Sequence, residues 1–205
     1  MGVVFGIVGI AGTASAATLS LDSAAGFPIQ HTANSPCIIS SVNCPNQPAT
    51  FDYTNYAQPS AIFNGGSPIY TVGQIEGIIG GSTLGVGIDV SQTNANSPQT
   101  LDFFAMLINN VIIDDYFGSA GNIPFQNNNG SGFADWTLTN FTSLAGYADS
   151  DTVQFLAVMT DLNDGPEQLF IYNTDAPPEI IPLPAAGFLL IGGLGALVAL
   201  RRRKS

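Results

Sequence analysis

No lysine or arginine occurs before Arg201; the four basic side chains of the 205-residue chain are Arg201, Arg202, Arg203 and Lys204. Removing those four from the formal net charge of −11 leaves −15 on residues 1–200. A body of that kind cannot be built on ion pairs, except through His31, its termini or a bound metal. It repels phosphate backbones and has no cations to displace counterions, so nucleic acid is excluded as a partner. It also has no lysine or arginine to clamp a phosphoryl group or form a Schiff base. Divalent cations are the natural counter-charges. The same asymmetry asks why four cations stand in succession at the end.

Both ends handle membranes. Near the start, Val3–Ala11 forms a short apolar run, and Ala14-Ser15-Ala16 fits a small-x-small cleavage site before Ala17. The expected secretory signal is therefore 1–16. Its n-region has no Lys or Arg, as expected if the true start codon lies upstream. At the other end, Ile180–Leu200 is a run of 21 uncharged residues, roughly 31 Å as a helix at about 1.5 Å per residue. Pro182 and Pro184 sit at its beginning, where a missing donor costs least. Arg201–Lys204 follow at once and act as a topological stop. By the positive-inside rule they stay cytoplasmic, and everything before them faces the other side.

The order of pieces in this tail resembles a known signal. Ile181-Pro182-Leu183-Pro184-Ala185, a glycine-rich apolar helix and a terminal Arg-Arg-Arg-Lys are similar to the VPLPA-CTERM branch of the PEP-CTERM family. Ile181 stands where that family carries Val, and the likeness covers about 25 residues, 181–205. The resemblance implies a bacterial envelope protein that is exported and held by its tail. An exosortase would then cut near the Pro-Leu-Pro-Ala motif and pass the protein to the cell surface or the extracellular polysaccharide matrix. An unprocessed single-pass anchor is the alternative.

The body, 17–175, reads as β. Cys37 and Cys44 are the only cysteines and lie on the exported side, where one local disulfide closing a loop is expected. A redox pair would need Cys-x-x-Cys, and a zinc site more ligands. Prolines at 28, 36, 45, 48, 59 and 68 interrupt any long helix in the first third, leaving short strands such as "AIF" and "IYTVG". Further on, "LGVGIDV", "LDFFAMLI", "VIIDDYF", "DWTLTNF", "DTVQFLAVM" and "EQLFIYN" read as strands. Asn109-Asn110 marks a two-residue hairpin, and Asn163-Asp164-Gly165 another. Residues 118–132, rich in Gly and Asn, read as a long exposed loop, and 176–180 as a stiff linker to the tail. The expected fold is an all-β, jelly-roll-like sandwich followed by one transmembrane helix.

Chemistry is sparse. His31 is the one imidazole, in a loop-rich stretch that places it at the surface, with no nucleophile elbow beside it. A glycan-active enzyme would need two facing carboxyls. Glu76, Asp89, Asp114, Asp115, Asp135, Asp149, Asp151 and Glu167 are available, but nothing in the pattern selects a pair. Asp114 and Asp115 point to opposite faces of a strand. The acids are more simply read as solubilising an otherwise uncharged surface. Asp161, Asn163, Asp164 and Glu167 offer oxygen ligands like the beginning of a Ca2+ loop. The pattern departs from the EF-hand at Gly165 and Pro166, and a plain turn explains the same letters. Trp136 and the tyrosines at 53, 56, 70, 116, 147 and 172 suit either a core or sugar stacking. The leading expectation is a non-catalytic surface or matrix protein, followed by a Ca2+-assisted carbohydrate-binding module and then an enzyme.

Overall fold

The computed structural model describes residues 17–24, 29–56, 62–90, 98–124, 132–162 and 167–176. The signal residues Ala14 and Ala16, the sorting motif Ile181–Ala185 and the cations Arg201–Lys204 lie outside them. Among the described residues no helix is long and apolar enough to cross a membrane.

The described chain is a sandwich of two six-stranded sheets. The strands are β1 (Ala17–Thr18), β2 (Ser20–Ser23), β3 (Cys37–Ser40), β4 (Thr54–Asn55), β5 (Ile62–Gly66), β6 (Tyr70–Thr71), β7 (Leu84–Val90), β8 (Thr100–Ile108), β9 (Val111–Phe117), β10 (Trp136–Thr139), β11 (Thr152–Thr160) and β12 (Glu167–Asn173). Sheet A runs β1-β9-β8-β11-β5, with β6 also pairing β11; sheet B runs β2-β10-β7-β12-β3-β4. All pairings are antiparallel except β1 with β9 and β3 with β4. Between β7 and β12 only the β8–β9 turn stays within one sheet. It is the expected Asn109-Asn110 hairpin, with φ of 51° and 63° at its two residues.

The main core lies between the sheets. Leu84, Val86, Ile88 and Val90 of β7 and Leu169 and Ile171 of β12 face Phe104, Met106, Phe155, Ala157 and Met159 of sheet A. One end is closed by helix α1 (Val72–Ile79), which buries Val72, Ile75 and Ile79. Its capping box is complete: Thr71 Oγ1 accepts from Gln74 N–H, and Gln74 Oε1 accepts from Thr71 N–H. Gly80 ends it in the left-handed conformation, φ 74°.

Three expectations are corrected. "IYTVG" is a strand only at Tyr70–Thr71, after which the cap turns the chain into α1. The strands on either side of Asn163-Asp164-Gly165 are not a hairpin pair, because β11 belongs to sheet A and β12 to sheet B. The 118–132 segment is not wholly exposed: Ile123 is fully buried and bridges Gln99, and Gly132 is also buried.

Candidate functional site

The distinctive chemistry of this domain is four acids that the fold takes out of water: Asp89, Asp114, Asp135 and Glu167 are at most 3% exposed. This overturns their reading as surface solubilisers. In a body without Lys or Arg, buried carboxylates must be satisfied by N–H and O–H donors, or be neutralised. Asp114 takes the first course. It points inward from β9 and accepts from Thr142 N–H (2.9 Å) and Thr142 Oγ1 (2.7 Å), so it ties the chain after β10 to sheet A. Burial raises its pKa against those two bonds. Asp115 beside it is half-buried on the other face, as strand alternation requires.

The other three gather at the end of sheet B remote from α1. On β7 the even positions fill the main core, so Gly85, Gly87 and Asp89 face outward. Residues Gln168, Phe170 and Tyr172 of β12 stand opposite Asp89, Gly87 and Gly85 and share that face. It is not open to water. Phe170 joins Ala24, Cys37, Cys44 and Ala134 in a second core, with Ile29 and Tyr53 packed against it. The expected disulfide, Cys37–Cys44, stitches this layer with a Cα separation of 6.4 Å. Glycine at 87 is what permits the cover, since a Cβ there would lie 2.5 Å from the Phe170 ring.

Asp89 sits under the same layer. Its Oδ2 accepts from Gly132 N–H. Segments 29–32 and 132–134 pair above it, through His31 N–H to Gly132 O (2.9 Å) and Ala134 N–H to Ile29 O (2.8 Å). Gly132 has φ 89°, and a Cβ on it would meet His31 Nε2 at 2.6 Å. His31 is therefore not a surface residue. It is 5% exposed, its ring set edge-on to Phe170 at 6.1 Å, and burial lowers its pKa. Burial thus works against its becoming a cation beside its acidic neighbours.

Asp135 occupies the place where β10 begins. Its Oδ2 accepts from Val90 N–H (2.9 Å), and its backbone bonds Ile88 and Ala24. Burial, partly opposed by the Val90 bond, pushes its pKa up to about 6. Asp89 is pushed further, to about 7, by burial first and then by the charges of Asp135 and Glu167, against the Gly132 bond. Glu167 faces the inner side, where its Oε1 accepts from Gln99 Nε2 (2.6 Å) and its Oε2 from Tyr56 Oη (2.7 Å). It thereby links β12 to Gln99, next to β8 of sheet A, and to Tyr56, which follows β4 of sheet B. Three buried acceptors here have no hydrogen-bond partner among the described residues: Asp89 Oδ1, Gln168 Oε1 and Gln99 Oε1.

The sequence-derived candidates are only partly brought together. Of the Ca2+ set, Asn163 and Asp164 lie outside the described residues. Asp161, at φ 63°, accepts from Thr100 Oγ1 at 3.5 Å, while the Glu167 carboxylate is turned to Tyr56 and Gln99. Among the described residues no three His, Cys, Asp or Glu side chains are placed to hold a metal ion. Of the carboxyls available to an enzyme, Asp149 and Asp151 sit at the α1 end, and the Asp89–Asp135 pair is sealed from solvent. Trp136 and the tyrosines are all buried or half-buried; Tyr70, for instance, stacks on Phe51 at 4.2 Å. Gln99, Gln168 and Gly132 were not singled out from the sequence, and Tyr56 was named only as an aromatic ring, not as a donor to an acid. The available hint was "LGVGIDV", whose alternate glycines leave one strand face without side chains beside an acid.

Compared with family models, curated proteins and solved structures, the chain matches none.

Proposed function

We propose that this is an exported, non-catalytic bacterial envelope protein, built as a jelly-roll-like sandwich. On this reading 1–16 is removed on export, and 181–205 spans the membrane with Arg201–Lys204 left in the cytoplasm. An exosortase-type enzyme then processes it near Ile181–Ala185 for the cell surface or a polysaccharide matrix. The observation that carries the reading is the Cys37–Cys44 disulfide, built into the second core of the domain, which fits an oxidising compartment. The crossing of strands between sheets supports the jelly-roll comparison. Burial of Asp89, Asp135 and Glu167 supports a structural rather than a catalytic use, since a substrate cannot reach them without opening the layer above.

Intact mass of the protein from its native host, taken separately from membrane and medium, tests this. The expected result is a species in the medium that begins at Ala17 and ends within 182–185. A full-length tail confined to the membrane fraction would instead mean a permanent anchor. Trypsin is no substitute, because it has no cleavage site before Arg201.

A further inference from the structure

Asp89 and Gln168 are directly opposite residues of β7 and β12, on the outer face of sheet B. They are 2% and 3% exposed. Each holds one buried oxygen without a hydrogen-bond partner among the described residues, Asp89 Oδ1 and Gln168 Oε1. Two acceptors on neighbouring side chains cannot satisfy each other, but one proton between them satisfies both. The second oxygen of Asp89 is already taken by Gly132 N–H. We propose that Asp89 is kept as a neutral carboxylic acid whose hydroxyl donates to the Gln168 carboxamide oxygen. The pair then works as a proton-dependent latch on the layer formed by 29–32 and 132–134.

The groups facing Asp89 all favour the proton. From the 29–32 segment comes His31, whose charged form burial disfavours; from the 132–135 segment comes Asp135; from the start of β12 comes Glu167. Across the sheet, β2 carries a further acid, Asp22, and Cys37 of β3 is in the disulfide, so among the described residues no element brings a Lys or Arg. A shared divalent ion is the competing solution. It is disfavoured because among the described residues no three ligating carboxyl, imidazole or thiol groups converge here, and because Gly132, Val90, Gln99 and Tyr56 already occupy one or both oxygens of each acid.

The sign follows from linkage. Below about pH 4 the acid is protonated in both folded and unfolded chains. Between pH 4 and 7 the unfolded chain loses a proton that the folded one retains, so the folding constant falls as pH rises and levels off above 7. When the proton leaves, a buried charge remains, and the layer above must admit water to solvate it.

The test uses Asp89→Asn in the full chain, compared with wild type by urea unfolding from pH 4 to pH 8. The carboxamide of this variant would keep the Gly132 bond and present an N–H to Gln168 at every pH. The ratio of wild-type to variant folding constants should drop by up to about a thousandfold over that range. A flat ratio overturns the proposal. A carboxyl carbon-13 titration of wild-type Asp89 needs no variant: a midpoint near neutrality supports the latch, and one near 4 overturns it. Millimolar Ca2+ at pH 8 is the third arm. Stabilisation of wild type that is lost in Asp89→Asn would mean that a cation, not a proton, joins the pair. That result also overturns the proposal, while no calcium effect is the outcome expected.

Discussion

The outer faces of the two sheets are made from similar strands and have opposite fates. On sheet A, β11 alternates buried and half-exposed residues along its whole length, Phe103 and Leu107 of β8 are half-exposed on the same side, and β9 leaves Val111, Ile112 and Phe117 exposed. Phe117 is 73% exposed, its ring centroid 5.0 Å from that of Phe103. On sheet B, all seven residues of β7 and six of the seven in β12 are buried. The difference is not hydrophobicity, since "DTVQFLAVM" is as apolar as "EQLFIYN". Gly85 and Gly87 leave room for Tyr172 and Phe170, and a disulfide-stitched layer settles over them. A sheet face becomes interior when glycine opens space on it and a crosslinked loop can cover it. Otherwise the same composition stays at the surface.

That contrast can be broken most severely at Phe170. Phe170→Ala should lower unfolding stability by about 3–5 kcal/mol, as emptying a closed aromatic site does. Urea denaturation at fixed pH measures it. Next comes the crosslink. Cys37→Ala with Cys44→Ala removes a short closed loop worth about 2–3 kcal/mol in chain entropy. Hydrogen exchange on this double variant should show Ala134 and His31 losing protection before the β8 and β11 amides; uniform loss would mean the layer is not a separate unit. Tyr56→Phe strips a donor from buried Glu167, at a cost of about 1.5–3 kcal/mol. Its m-value should be unchanged. Phe117→Ser is the counterpart on the bare sheet and should shift stability by less than about 0.5 kcal/mol. A loss as large as that of Phe170→Ala would show that sheet A's face is covered after all.

The strands were legible because period-two patterning and β-branched residues are local properties of the chain. The Asn109-Asn110 turn was legible for the same reason, since two consecutive positive φ angles demand particular residues. Which sheet a strand joins is not local. Asn163-Asp164-Gly165 carries turn chemistry, yet the strands on its two sides part to different sheets, and nothing in those three residues encodes that. Helix α1 was readable and was missed: Thr71-Val72-Gly73-Gln74 is a capping-box sequence set among glycines that discourage a helical reading. His31 and Asp89 show the deeper limit. Their burial comes from a layer assembled out of segments about 100 residues apart, so neither could be placed by its neighbours in sequence.

The strand order has a consequence in time. β12, the last described strand, lies in the middle of sheet B between β7 and β3, and β11 lies in the middle of sheet A between β8 and β5. A chain delivered N-terminus first therefore holds two incomplete half-sheets until its final third arrives. Pairings of such long sequence separation form slowly, in milliseconds to seconds. The molecule closes like a case whose two hinges are fitted last.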